Sequence, residues 1–216
     1  STAIFINQLM QLLGGQAGVI GTLGYGHYQQ LTPLNNTTPH LADLHRILAL
    51  SSEQGRQLMA LEVSSHALDQ QRVAGLNFEV AVFTNLTRDH LDYHGTMQAY
   101  GAAKARLFTP QLSRRAVINV SDAFGQELAR STSLPVLVYG RLADCQHSAE
   151  YLAYDELAIT QRGYQFVLHS RLGGAATAQL VQLQVLGEFN IQNALAAAAT
   201  MVQLGHPLPA VLRALS

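Results

Sequence analysis

Along the chain, short apolar runs alternate with stretches whose apolar positions recur every three or four residues. Phe5, Leu9, Leu12 and Leu13 share one face of a helix that opens the chain and stops at Gly14-Gly15. An apolar run at 17–20 follows, then a polar loop and a helix over 41–54. Residues 57–63 read as a buried strand, Ser64-Ser65 caps a helix running to about Val73, and 78–84 is a second nearly continuous apolar strand. Thr96 caps a helix to about Phe108, and 116–120 and 135–139 continue the pattern of strands. Strands that are apolar on both faces and alternate with helices predict a mostly parallel sheet covered by helices, an α/β fold. Near Gly140 the pattern changes. Segments 151–159, 164–170 and 178–185 read as strands joined by turns at Arg162-Gly163 and Gly173-Gly174, which predicts a small antiparallel sheet toward the carboxyl-terminal half. The end is helical again, with an Ala-rich stretch over 191–204 closed by Gly205 and a short segment after Pro207 or Pro209. The sequence carries no internal repeat and no low-complexity segment.

Composition narrows the function classes. With 216 residues and 48% hydrophobic content, one large domain is expected, and two would be crowded. Charged residues are only 12% and the net charge is −1, so nothing resembles the basic footprint of a nucleic-acid or membrane-surface binder, and any bound anion must be held locally. The single Cys145 excludes an intramolecular disulfide and a paired-cysteine zinc site, and points to a reducing, cytoplasmic setting. No apolar stretch approaches the ~20 residues of a membrane helix, and the amino end lacks a signal-peptide pattern. A helix opening the chain with no strand before it reads as a fragment, and a monomer is expected.

In open parallel sheets ligands gather at the carboxyl ends of strands, so the polar residues just past each apolar run are the candidates for chemistry. Glu62 ends one strand and leads into Val63-Ser64-Ser65-His66; Thr84-Asn85 ends the next and leads into a polar string that contains His90. If those strands are neighbours, a carboxylate and an imidazole face one crevice, which suits a divalent metal carrying phosphate. Taken singly, Glu62 suits a salt bridge and His90 a helix cap. Histidine is also a less usual magnesium ligand than oxygen.

Four segments then carry a resemblance. Glu62-Val63-Ser64-Ser65-His66, the run Thr84-Asn85-Leu86-Thr87-Arg88-Asp89-His90-Leu91-Asp92-Tyr93-His94-Gly95, Tyr100-Gly101-Ala102-Ala103-Lys104, and Gly187-Glu188-Phe189-Asn190-Ile191-Gln192-Asn193 resemble, in order and spacing, the central ATP-binding domain of Mur ligases. The resemblance covers essentially the whole chain, and the second string is the most specific. It implies ATP-dependent amide ligation with Mg²⁺: a substrate carboxylate attacks the γ-phosphate, and an amine then displaces phosphate from the acyl phosphate. It implies that Glu62 and His90 match the family's metal ligands, that Lys104 matches a carbamylated lysine, and that Asn190 and Asn193 contact the nucleotide. Without the motif, Lys104 reads as a solvated helix lysine and the two asparagines as helix-capping amides. Family members open this domain with a glycine-rich phosphate loop. That loop lies outside the given sequence, and Ser1 is expected just after its magnesium-binding hydroxyl, or as that hydroxyl itself. The chain by itself is therefore expected not to turn over ATP, with UDP-binding and amino-acid-binding domains belonging on either side.

Finer matches, Asn36-Thr37-Thr38 and Gln70-Gln71-Arg72, resemble the family's third-residue-adding ligase. By that resemblance Thr37, Thr38, Ser64, Gln70 and Arg72 would hold the UDP-N-acetylmuramoyl dipeptide, with Arg72 supplying a fork for a carboxylate or phosphate. Ordinary loop and helix-surface duty is the plainer reading of each. Diaminopimelate and lysine both stay open as the amino acid added. Another Mur-type ligase, a folylpolyglutamate synthetase relative, or a non-catalytic nucleotide-binding module would share much of this pattern. Gly21-Thr22-Leu23-Gly24 is too generic to be a nucleotide loop, His27, His40 and His45 read as surface or packing residues, and Tyr93 and His94 receive no role.

Overall fold

The computed structural model describes residues 2–215. Ser1, expected beside the phosphate loop's hydroxyl, lies outside the described residues. The chain divides into two compact units, residues 1–77 with 88–107, and 78–87 with 108–216.

The first unit is built on a four-stranded sheet ordered β3-β2-β1-β4. Helix α1 (Thr2–Leu12) packs on β1 (Ala17–Gly21) and β4 (Leu58–Leu61). Its buried face is Ala3, Ile6, Asn7 and Leu9. Leu12 is 67% exposed, so the expected face of Phe5, Leu9, Leu12 and Leu13 is rotated by about a third of a turn. Every residue of β1 is buried, and β1 runs parallel to β4 with Val19 opposite Ala60 and Ile20 opposite Leu61. The connection between them was expected to hold only a polar loop and a helix. It also forms β2 (Gly24–His27) and β3 (Gln30–Thr32), an antiparallel ribbon too short and too polar to leave a periodic apolar signal. Helix α2 (Leu41–Glu53) buries Leu44, Ile47 and Ser51. Helix α3 is shorter than expected, covering Ser65–Asp69; Gln71 adopts a left-handed φ of 55° that ends it. Its cap is Ser64, whose hydroxyl accepts the Ala67 N–H at 3.2 Å. After residues 78–87 the chain returns to this unit to form α4 (Leu91–His94) and α5 (Met97–Ala105), the latter capped by Thr96 through the Ala99 N–H and followed by a 3-10 turn at Arg106–Phe108.

The second unit carries a six-stranded sheet ordered β10-β9-β8-β7-β6-β5. Strands β5 (Ala81–Phe83), β6 (Ala116–Asn119), β7 (Val136–Arg141) and the start of β8 (Tyr151–Thr160) run parallel, the arrangement expected of strands apolar on both faces. Helices α6 (Ala123–Ser131) and α7 (Leu142–Cys145) link them. Strands β9 (Gly163–Leu172) and β10 (Ala175–Leu183) then add antiparallel neighbours, so the expected antiparallel sheet extends the parallel one instead of standing apart. Both glycines of the Gly173-Gly174 turn have positive φ, 56° and 83°, as a two-residue hairpin needs. Helix α8 (Phe189–Gln203) lies on β6 and β7, with Ala196, Ala197, Ala198 and Ala199 wholly buried. Tyr139, on β7, is wholly buried. Its hydroxyl donates to the Phe83 carbonyl at 3.2 Å, and burial drives its pKa far upward. Helix α9 (Leu208–Leu215) packs on α8. No helix among the described residues is long and apolar enough to cross a membrane.

Strands β4 and β5 are not ladder partners; each is an edge strand, of a different sheet. The expectation that Glu62 and the Thr84 turn end neighbouring strands of one sheet therefore does not hold.

Candidate functional site

At the carboxyl end of β4, Glu62 extends the strand with its N–H donating to the Ile20 carbonyl at 2.8 Å. Its side chain lies across the end of β1. A Cβ on Gly21 would meet Glu62 Oε2 at 2.5 Å, so a side chain at that position would push the carboxylate out of its place. Thr22, the next residue, donates twice to the same oxygen, from its backbone N–H at 3.0 Å and from Oγ1 at 3.1 Å. Burial pushes the Glu62 carboxyl up, and the Thr22 N–H bond is the largest of the opposing causes that together bring it below the usual carboxylate value. The carboxylate borders a cavity of about 310 Å³ lined also by Ala3, Ile4, Gly21, Thr22 and Leu23.

The loop before α2 joins the same end. Thr38 is wholly buried; its hydroxyl donates to the Glu62 carbonyl at 2.8 Å and accepts the Ser64 N–H at 3.0 Å. Arg72 donates to the Thr38 carbonyl at 3.0 Å and grips Gln70 Oε1 with Nε at 2.9 Å and a terminal nitrogen at 2.6 Å. The Thr37 hydroxyl sits 3.0 Å from that of Thr22. Thr37, Thr38, Ser64, Gln70 and Arg72, singled out one by one from the sequence, thus form one polar patch continuous with Glu62.

His90 occupies the N-cap position of α4 with a left-handed φ of 53°, yet its side chain makes no cap bond. Its N–H is held by Asp89 at 2.8 Å, and its ring stands edge-on to His66 at 5.0 Å and to Tyr100 at 5.7 Å. A non-glycine residue held at positive φ stores strain that concentrates at functional sites. Burial, followed by the nearby His90 and His94, lowers the pKa of His66. Lys104 is half-buried on α5, its Nζ 5.0 Å from the Tyr100 ring centroid, so Tyr100 stands between the two predicted residues. Burial, then the Asp89 charge, raises the Tyr100 pKa.

Among the described residues no three His, Cys, Asp or Glu side chains converge to enclose a metal. A carboxylate beside an open cavity, with His66 four residues further along and the His90 ring 5.0 Å from that of His66, fits a cation that brings water and phosphate oxygens with it, as Mg²⁺ does, and does not fit an all-protein cage.

In the second unit, Asn190 and Asn193 lie on the first turns of α8. Asn190 donates to the Leu186 carbonyl at 2.7 Å and Asn193 donates to Asn190 at 3.0 Å. Asn190 thus braces the turn before the helix without capping it.

Three participants were missed from the sequence. Thr22 sits just past a buried strand, where the strand-end rule could have found it. Tyr93 donates to Asp69 at 2.9 Å and accepts from Gln70 at 3.2 Å, and His94 is within 2.9 Å of the Ser65 hydroxyl; these pairings are long-range and leave no local signal. Of the histidines read as surface or packing residues, His27 bonds Gln11 at 2.8 Å and His45 the Ala74 carbonyl at 3.3 Å.

Comparison with known proteins gives this geometry a family. UDP-N-acetylmuramoyl-L-alanyl-D-glutamate--2,6-diaminopimelate ligase of Xanthomonas campestris pv. campestris is 46% identical over 201 residues, 93% of this chain and 40% of that protein. The Pseudomonas aeruginosa protein of the same name is 42% identical over 215 residues, 100% of this chain and 43% of that protein. The chain thus spans under half the length of these relatives. A solved structure of a ligase with that name superposes with a TM-score of 0.85 at 33% identity, over 99% of this chain and 43% of that one. A D-alanyl-D-alanyl-adding ligase from Acinetobacter baumannii, at 20% identity and a TM-score of 0.70 over 99% of this chain and 42% of that one, shares the fold. With the Mur ligase middle domain matched over residues 1–201, the chain belongs to the Mur ligase middle-domain family.

Proposed function

We propose that this chain is the ATP-handling middle domain of a ligase that joins 2,6-diaminopimelate to UDP-N-acetylmuramoyl-L-alanyl-D-glutamate, with UDP-binding and amino-acid-binding domains on either side. One observation carries the reading: the five residues matched to the dipeptide site share a hydrogen-bonded patch with Glu62. A patch that binds the acceptor carboxylate beside a residue able to hold a phosphate-borne cation is what phosphoryl transfer to that carboxylate requires. The relatives' names favour diaminopimelate over lysine.

In this reading Arg72, fixed by Thr38 and Gln70, presents its remaining N–H groups to an anionic group of the dipeptide. The bound carboxylate oxygen attacks the γ-phosphorus and ADP departs. The amine then attacks the acyl carbon, loses a proton and expels inorganic phosphate. Glu62 and His90 would hold Mg²⁺, which when bound neutralises the phosphate oxygens during transfer. Lys104, as a carbamate formed with carbon dioxide, would exchange a cation for an anion on the face of Tyr100. Asn190 and Asn193 would meet the nucleobase of ATP. The protein acts without nucleic acid or membrane, in the cytoplasm, as a monomer.

The test is ATP-dependent phosphate release by the full-length protein supplied with the UDP-linked dipeptide, with diaminopimelate and lysine tried separately. Release with diaminopimelate is expected. Release with lysine alone would reassign the amino acid, and silence with both would move the protein to another ligase or a non-catalytic relative.

A further inference from the structure

We infer that Thr22 is a positioning residue that orients the Glu62 carboxylate and ties it to the substrate loop through Thr37, an inference that rests on the proposed ligase reading. Three observations converge on it. Both hydrogen bonds from Thr22 fall on one oxygen, Oε2, from the backbone at 3.0 Å and from the hydroxyl at 3.1 Å, so the carboxylate is fixed in rotation as well as in place. Gly21 leaves the space in which the carboxylate lies, since a Cβ there would come within 2.5 Å of Oε2. The Thr22 hydroxyl is also 3.0 Å from the Thr37 hydroxyl.

Proton counting sets the direction of this chain. An ionised carboxylate only accepts, and a threonine hydroxyl has one proton. The Thr22 proton is committed to Glu62, so in the contact between the two threonines Thr37 donates. Thr37 therefore meets a ligand with its lone pairs, as an acceptor for an N–H or O–H. Thr38 grips the main chain of the same glutamate through the Glu62 carbonyl at 2.8 Å. Adjacent loop residues thus hold Glu62 at both ends, one directly and one through Thr22. Bonds of this kind orient a metal ligand, and losing one typically weakens metal binding or activity by about 10–100-fold.

The deciding experiment measures Mn²⁺ binding by electron paramagnetic resonance in the full-length protein with a non-hydrolysable ATP analogue, beside a Mg²⁺ titration of activity. Thr22→Val removes the hydroxyl and keeps the backbone bond; it should weaken Mn²⁺ binding about tenfold and raise the Mg²⁺ requirement to match. Thr22→Ser should restore both. Thr22→Ala reads the same bond should the valine variant fail to fold. Glu62→Gln serves as the reference. If Glu62→Gln weakens Mn²⁺ binding while Thr22→Val and Thr22→Ala bind like wild type, or if serine fails to restore it, the role of Thr22 is overturned and the metal assignment stands. If Glu62→Gln also binds like wild type, both fall.

Discussion

Glu62, at the end of β4, and Asn190, at the start of α8, are held in opposite ways. Around Glu62 the bonds join residues far apart in sequence: Thr22 with Glu62, Thr38 with Glu62 and Ser64, Arg72 with Thr38. The side-chain bonds of Asn190 span three and four residues, although its neighbours Glu188 and Gln192 reach Arg141 and Asn119 far along the chain. The first arrangement exists only when β1, β4, α3 and the loop before α2 are all in place. The second forms with the turn itself. A site assembled over long range couples its members, whereas a local one lets a side chain be lost with little consequence beyond its own contact.

The largest expected effect tests whether Lys104 belongs to the coupled kind. Its contact with the Tyr100 ring, 5.0 Å from Nζ, asks only for a cation. The proposed carbamate asks for a primary amine. Arginine keeps the positive charge over the ring and cannot form the lysine carbamate, so Lys104→Arg and Lys104→Ala should both lower turnover of the full-length protein, on the order of 100-fold. Added bicarbonate should restore neither, and a short carboxylic acid should partly rescue the alanine variant. Near-normal turnover by Lys104→Arg would show that a positive charge suffices at that position.

Next in size is the coupling itself. Arg72→Met should raise the KM for the dipeptide about tenfold, near 1.4 kcal/mol, with a smaller change in kcat. Thr38→Val leaves the half-buried Ser64 N–H without its acceptor, at a cost of about 1 kcal/mol. Combined, the two should depart from additivity by about 1 kcal/mol, because Arg72 binds the carbonyl of the residue that the valine displaces. Asn193→Ala should instead raise the KM for ATP a few-fold and leave that for the dipeptide alone. A strictly additive double variant would mean that the patch, though bonded, does not act as a unit.

The same contrast explains what the sequence made legible. Buried parallel strands and the Ala-rich α8 announced themselves by unbroken apolar runs, and Thr96 announced α5 by its cap. The β2–β3 ribbon did not, because glycines and polar residues fill it, nor did α6, whose helix opens with Asp122 and then Gly125. The candidate residues were found through motif strings and strand ends, but their wiring was not. Thr22 sits in a four-residue run that looks generic, and Tyr93 meets Asp69 and Gln70 from another helix. Periodicity records which face of an element is buried; it carries nothing about which hydroxyl across the sheet will answer a carboxylate. The pairing of β4 with β1 instead of β5 was lost for the same reason, since two equally apolar strands do not name their neighbours.

The smallest effect on activity is expected at Cys145, which lies on α7 with no exposure. Burial, and then the Asp144 charge, push its thiol up to about 12. At pH 8 the thiolate is scarce and shielded, so a thiol reagent should label the native protein only as fast as the second unit opens, and label the denatured protein at once. The sign with pH follows from the same shift. The folded state keeps the proton that the unfolded state gives up near 8.5–9, so this contribution to stability is intact below that range and is lost as pH rises toward about 12. Denaturant midpoints measured across that window should therefore fall more steeply for the native chain than for Cys145→Ala, with activity at neutral pH alike in the two. Parallel slopes would show that the thiol titrates from an opened state, and rapid labelling of the native protein at pH 8 would place that opening within ordinary fluctuations of α7.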